Sequence, residues 1–253
     1  MLRPEQQERY IKQMGLPGLG ESAQEKLVRS KVLVLGLSGS GAVAARFLAG
    51  AGVGTIGLLD NAPVSLADIY QQILCTEADV GLTRAAAAQS QLICVNPDIS
   101  IRCHEATLDS HNAEAILSNY DIIVDGLEDW QLKLLLSDSC MQLHLPLIHS
   151  GVSGFRWQLF TMAPGRSACL RCVFNQLGME DFARHDQQQA GPSGPASGMA
   201  GSMQASEAVQ LITGAGVAGC DEFISFDCLR REFFSERNLH PRSDCPDCGR
   251  WVS

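Results

Sequence analysis

An α/β fold, with a mainly parallel sheet flanked by helices, is predicted by three features of this 253-residue chain. Short continuous apolar runs alternate with helical stretches through the first part of the chain. A glycine/serine loop follows the first of those runs, and the pattern changes character after Gly154. Strand–helix–strand alternation implies parallel pairing, because each crossover helix returns the chain to the end of the sheet where the preceding strand began.

Residues 3–14 read as a short helix, stopped by Leu16-Pro17-Gly18-Leu19-Gly20, since proline and glycine do not extend a helix. Glu21 to Val28 is a second helical stretch. Lys31 to Leu35 is an uninterrupted apolar run after its lysine, the pattern of a strand buried on both faces. The turn Gly36–Gly41 leads into a helix over Ala42–Gly50 that ends in glycine. Thr55–Leu59 is the second strand, with Asp60 at its carboxyl end. Helical stretches follow at 66–74 and 83–94, a third strand at 99–103, a helix at 109–118, and a fourth strand at 122–124 ending on Asp125. A helix at 132–143 and a short fifth strand at 147–148 complete this half.

Beyond Gly154, residues 158–162 read as an antiparallel-type strand, so the sheet gains a C-terminal antiparallel extension. Residues 186–202 are rich in Gly, Ser, Pro and Gln and read as a crossover loop, the least structured stretch. A helix over 203–212 and a strand near 223–226 close the chain. No internal repeat or clean linker divides it. The expectation is one domain over 1–253: N-terminal helices to about 30, a nucleotide-binding βα half over 31–154, and a C-terminal half over 155–253.

Composition bounds the function. With 45% hydrophobic and 19% charged residues the chain resembles an ordinary soluble protein. It has no apolar run of about 18 residues, and its polar N-terminus has no signal-peptide apolar region. A cytoplasmic protein without a membrane partner is expected. A net charge of −9 argues against a nucleic-acid partner, which needs clustered Lys and Arg.

The loop Gly36-Leu37-Ser38-Gly39-Ser40-Gly41 lies between a buried strand and a helix. Backbone N–H groups and a helix N-terminus there make an anion site, and small residues let the backbone approach a phosphate. Asp60 stands where an acidic group meets ribose hydroxyls in nucleotide-binding βαβ units, which makes the fold Rossmann-like. Periodicity does not distinguish ATP from NAD, so a dehydrogenase remains open on the loop alone.

Of ten cysteines, four form two CxxC pairs, Cys169/Cys172 and Cys245/Cys248. Four thiolates suit one tetrahedral Zn2+, in a closed and therefore structural site. Neither pair lies at a strand-to-helix junction of the N-terminal βα units, which disfavours a redox pair. Cys75, Cys94, Cys103, Cys140, Cys220 and Cys228 are scattered and read as small buried apolar residues.

Together these residues resemble the MoeB/ThiF/HesA family, relatives of ubiquitin-activating enzymes. The resemblance runs through Arg9-Tyr10 with Gln13, Gly36–Gly41, AGVGTIGLLD (51–60), QQILCTEADVG (71–81), Asn96-Pro97 and VDG (124–126). It continues through HSGVSGF (149–155), CLRC (169–172), GSMQASEA (201–208) and CPDCG (245–249). It implies an adenylyltransferase using ATP and Mg2+ on a carboxylate, either the Gly-Gly tail of a small ubiquitin-like sulfur-carrier protein or a small-molecule acid. The products would be an acyl-adenylate and pyrophosphate, and the protein a homodimer.

Carried over by position, the resemblance makes Gly36, Ser38, Gly39, Gly41 and Asp60 nucleotide-binding, together with Asp68, Gln71, Gln72, Arg84, Glu128 and Asp129. Arg9 would reach the triphosphate of a partner subunit. Arg84 stands where the family has a phosphate-binding lysine, and Glu128 where it has a Mg2+-associated aspartate. Arg9, Arg84 and Glu128 are thus the expected catalytic residues. The family's Ser-Asn-Leu-Gln-Arg-Gln reads Ala67-Asp68-Ile69-Tyr70-Gln71-Gln72 here, and its Asp-Asn-x-x-x-Arg reads Glu128-Asp129-Trp130-Gln131-Leu132-Lys133. Asp68 and Asp129 replace amides and Gln71 replaces an arginine, all unfavourable for ATP, which carries about four negative charges. Gln187 aligns where some members carry a loop cysteine, which disfavours a thioester step. The alternative implied by these departures is a degenerate, partner-binding scaffold.

Overall fold

The computed structural model describes residues 1–178, 191–216 and 218–249. Two helices, α1 (Pro4–Met14) and α2 (Glu21–Arg29), precede a single eight-stranded sheet of order β3-β2-β1-β4-β5-β6-β7-β8. The parallel half comprises β1 (Lys31–Leu35), β2 (Thr55–Leu59), β3 (Ser100–His104), β4 (Ile122–Asp125) and β5 (Leu147–Ser153). The strands β6 (Arg156–Met162), β7 (Glu222–Asp227) and β8 (Glu232–Arg237) continue it antiparallel.

The crossovers of the parallel half are α3 (Ser40–Ala51), α4 (Arg84–Val95), α5 (Ala113–Leu117) and α6 (Trp130–Leu143). Short 3-10 turns occupy Leu66–Gln71 and Glu77–Asp79. Further on lie α7 (Leu170–Gln176) and α8 (Gly194–Thr213). The central strand explains the two-faced burial. Val32 and Val34 enter a core with Leu48, Ile56 and Leu92, while Leu33 and Leu35 enter one with Leu136, Phe160 and Phe174. Side chains alternate across a strand, so a continuous apolar run supplies both cores at once.

Three expectations need correction. Residues 194–202, expected to be crossover loop, form the first turns of α8. Pro195 at the start of that helix is well placed, because the first helical N–H has no intrahelical partner to lose. Residues 186–190, including Gln187, lie outside the described residues. The strand β8 was not expected: every residue in it is exposed, so it lacks the apolar pattern by which a strand is read. Of the six scattered cysteines, Cys75, Cys140 and Cys220 are buried, but Cys94 is exposed on α4. Cys103 and Cys228 are half-buried.

Candidate functional site

The strand order reverses at β1, whose neighbours β2 and β4 lie on opposite sides. In open α/β sheets a crevice forms there, outside the carboxyl ends of the strands. Here it is a cleft lined by Gly36 after β1, Asp60 after β2, and Gly126 and Glu128 after β4, with Ser38 and Arg84.

The glycines of the loop serve its closure. Gly36 has φ +77°, a left-handed conformation natural to glycine. A Cβ on Gly41 would stand 1.9 Å from the carbonyl oxygen of Gly36, so no other residue lets α3 start so close to β1. Gly39, the N-cap of α3, has no side chain with which to cap the helix, and the first-turn N–H groups of a helix have no intrahelical acceptor. Asp60 props the loop from below. Its Oδ2 accepts Leu37 N–H at 2.8 Å and its Oδ1 accepts Ala62 N–H at 2.9 Å.

Arg84 opens α4 and reaches into the cleft. Its Nη2 donates to Asp68 Oδ2 at 2.7 Å, and Nη1 lies 3.8 Å from Asp60 Oδ2. Glu128 is exposed at the rim and accepts Ser38 Oγ at 2.6 Å. One guanidinium therefore faces Asp60 and Asp68, in a cleft that Glu128 also lines. Such a cleft holds a divalent cation more readily than a bare polyanion.

The other expected residues lie apart. Gly39 packs against Ser197 and Gln71 rather than lining the cleft, and Gln71 is buried with its Oε1 unpartnered among the described residues. Gln72 is half-buried, its amide atoms likewise without a partner. Asp129 is the N-cap of α6 and accepts Leu132 N–H at 2.8 Å. Arg9 is on α1, with Nε 3.5 Å from Asp98, away from this chain's own cleft.

Two sets of residues escaped the sequence reading. Asn61 and Thr107 line the cleft, with Asn61 Nδ2 donating to Thr107 Oγ1 at 3.0 Å. The position of Asn61 directly after Asp60 was a signal, whereas Thr107 reaches the site only through the pairing of β3 with β2. Behind the cleft, Asp125 is wholly buried between Lys133 and His149. Lys133 Nζ lies 3.0 Å and His149 Nδ1 2.7 Å from Asp125 Oδ2. Burial pushes the Asp125 carboxyl up, but the Lys133 charge and the His149 hydrogen bond outweigh it and hold it below the usual range. Burial, and then the charge of Lys133, push His149 down, against its hydrogen bond to Asp125, so the ring stays neutral.

A second constellation lies in the core on the α7 side. Cys169 caps α7, Cys172 sits in its first turn, and Cys245 and Cys248 come from the C-terminal segment. The four sulfurs lie within 4.8 Å of one another, and the pairs Cys169/Cys245 and Cys172/Cys248 are 3.6 and 3.5 Å apart. A tetrahedral thiolate site with metal–sulfur bonds of about 2.3 Å needs sulfurs about 3.8 Å apart, so the cluster fits a metal ion without rearrangement of the chain. The hydrogen bond between Cys169 and Cys248 draws the Cys248 thiol down and pushes the Cys169 thiol up, and burial raises Cys172, so metal binding, which requires thiolates, displaces protons from the cluster.

The architecture defines a Rossmann-like α/β protein with a closed four-cysteine cluster. It matches the ThiF family over residues 10–247, and the chain belongs to that family. The HesA protein of Trichormus variabilis is 33% identical over 248 residues, covering 98% of this chain and 91% of that protein. The adenylyltransferase and sulfurtransferase MOCS3 of Drosophila yakuba is 35% identical over 240 residues, covering 95% of this chain. The chain spans about half the length of that relative, 52%. Among solved structures, E. coli MccB with MccA-N7isoASN superposes with TM-score 0.83 at 20% identity, over 96% of this chain and 74% of that one. PaaA superposes with TM-score 0.81 at 22% identity, over 94% and 84%. These two share the fold. Among the described residues no helix is long and apolar enough to cross a membrane.

Proposed function

We propose that the chain is an ATP-dependent adenylyltransferase that activates a carboxylate. The substrate we favour is the C-terminal glycine of a small ubiquitin-like sulfur-carrier protein. The observation that carries this reading is the convergence of the Gly36 loop, Asp60, Arg84 and Glu128 on one cleft at the reversal of strand order. Family membership and the names of the relatives support it: MOCS3 is called an adenylyltransferase, and MccB was solved with MccA.

In this reading the amides of the loop and the start of α3 receive the phosphates, and Asp60 meets the ribose. Arg84 offsets charge on the phosphoryl oxygens. Glu128 would hold Mg2+, which supplies charge neutralisation to the triphosphate. The substrate carboxylate attacks the α-phosphorus and pyrophosphate leaves. Arg9 acts across a homodimer on the partner's nucleotide. The cysteine cluster holds one structural Zn2+, and the protein works in the cytoplasm. ATP–pyrophosphate exchange tests the activity: exchange that depends on a carrier ending in Gly-Gly is expected. Absence of both exchange and ATP binding overturns it.

One observation favours a second reading, a degenerate scaffold that binds a protein partner without catalysis. Arg84 is held by Asp68 and faces Asp60, and Gln71 is neutral and buried. Calorimetry with Mg-ATP separates the two, since tight nucleotide binding counts against the scaffold.

A further inference from the structure

We propose that Lys133, through Asp125, is a positioning residue that fixes the turn carrying Glu128 and couples it to the glycine loop. The inference about activity rests on the adenylyltransferase reading; the inference about the turn does not. Asp125 Oδ1 accepts both Leu127 N–H at 2.9 Å and Lys133 Nζ at 3.1 Å. Leu127 immediately precedes Glu128, so this hydrogen bond sets the direction in which the chain delivers Glu128 to Ser38. Lys133 also donates to the carbonyl oxygen of Ser150 at 2.7 Å. Ser150 Oγ contacts Ser40 Oγ at 3.0 Å, at the start of α3. The carbonyl oxygen of Asp125 accepts Gln204 Nε2 from α8 at 2.8 Å.

Both walls of the cleft are thus tied to one ammonium–carboxylate pair. An ammonium has three N–H donors, and here they are divided between the two oxygens of Asp125 and the carbonyl of Ser150. The pair is poorly explained by stability. Desolvation of two buried ions offsets most of their attraction, and apolar replacements of such pairs are often neutral or stabilising. What apolar side chains cannot supply is a charged acceptor aimed at Leu127 N–H. His149 completes the arrangement by donating Nδ1–H to Asp125 Oδ2, with its ring against Phe174 at 5.8 Å. The carboxylate is therefore gripped on both oxygens and has no second orientation open to it.

The test is hydrogen exchange at the Leu127 amide, with the Mg2+ dependence of ATP–pyrophosphate exchange alongside. In the wild type, Leu127 is expected to exchange as slowly as the β4 amides although it lies outside any strand. Lys133→Met and the charge-neutral pair Asp125→Asn/Lys133→Met are expected to speed Leu127 exchange at least about tenfold relative to β2. In such folded variants the Mg2+ concentration for half-maximal exchange should rise at least about fivefold, and Lys133→Arg should restore most of it. Fast Leu127 exchange in the wild type, or unchanged protection in a folded Lys133→Met or double variant, overturns the proposal. A wild type that neither binds Mg-ATP nor exchanges pyrophosphate overturns the adenylyltransferase reading and leaves the Leu127 readout to decide this one.

Discussion

Arg84 Nη2 donates to Asp68 Oδ2 at 2.7 Å, so the guanidinium that opens α4 is engaged before any phosphate arrives. Ser65 Oγ also donates to Asp68 Oδ2 at 2.9 Å, which fixes the carboxylate in place. For a triphosphate to use Arg84, it must displace or share that carboxylate.

Asp68→Asn removes one negative charge beside Arg84 and keeps a side chain of the same shape. A unit charge at this partly shielded range is worth about 1 kcal/mol, and 1.4 kcal/mol corresponds to a tenfold change in affinity. Mg-ATP should therefore bind about fivefold more tightly to the variant in calorimetry. Weaker binding would show instead that Asp68 is a ligand for Mg2+ or for the ribose.

Glu128→Gln tests the carboxylate proposed to hold Mg2+. Glu128 is exposed, and the hydrogen bond that it accepts from Ser38 Oγ is one that an amide oxygen accepts as well. Exposed substitutions of this kind usually change stability by no more than about 0.5 kcal/mol, so the melting temperature should hold. The pyrophosphate exchange rate should fall at least about tenfold if the carboxylate helps neutralise the phosphoryl oxygens. An unchanged rate removes Glu128 from the mechanism.

The parallel half was legible because its signals are local. The apolar run over Lys31–Leu35, the glycine loop and Asp60 each declare themselves within a few residues, and Gly36, Ser38 and Asp60 line the cleft. The cysteine pairs were legible by spacing alone. Thr107 and the Lys133–Asp125–His149 cluster were not, because their roles exist only once β3, β4 and β5 are aligned. Gln71 shows a different limit. The resemblance assigned it to the nucleotide, whereas the fold buries it between Gly39 and the first turn of α8. That turn begins within the Gly/Ser/Pro-rich stretch, whose composition hid a helix anchored by α3 packing.

Cys245→Ser should lower metal content and thermal stability together, because metal binding to a cluster drawn from distant segments is coupled to folding. The cluster joins the C-terminal segment to α7, and Phe174 on that helix packs edge-on against Trp130 at 4.7 Å, at the start of α6. The measurement is zinc per chain by atomic spectroscopy beside a thermal melt, with and without chelator. One zinc per chain retained in the variant would contradict a four-cysteine site.

Stability should also fall on mild acidification, with His149 as one source. Its native pKa is held below 6.5, first by burial and then by the charge of Lys133, while Asp125 opposes the shift. Once unfolded, the ring takes up a proton near 6.5; in the native protein it does so only at lower pH. The unfolded state therefore binds more protons as pH drops below about 6.5, and the stability present above that value is progressively lost. Asp125, also held below its ordinary 3.8, adds a second loss only in stronger acid. His104, lowered by burial and then by Arg102, acts in the same direction, and its effect cancels when two proteins sharing it are compared. Chemical denaturation at pH 8, 7, 6 and 5, at constant ionic strength, should give a steeper decline for the wild type than for His149→Gln. The variant should be less stable at pH 8, because an amide replaces the imidazole against Phe174. Identical slopes for the two proteins over pH 7 to 5 would mean that the buried imidazole is not the group that titrates.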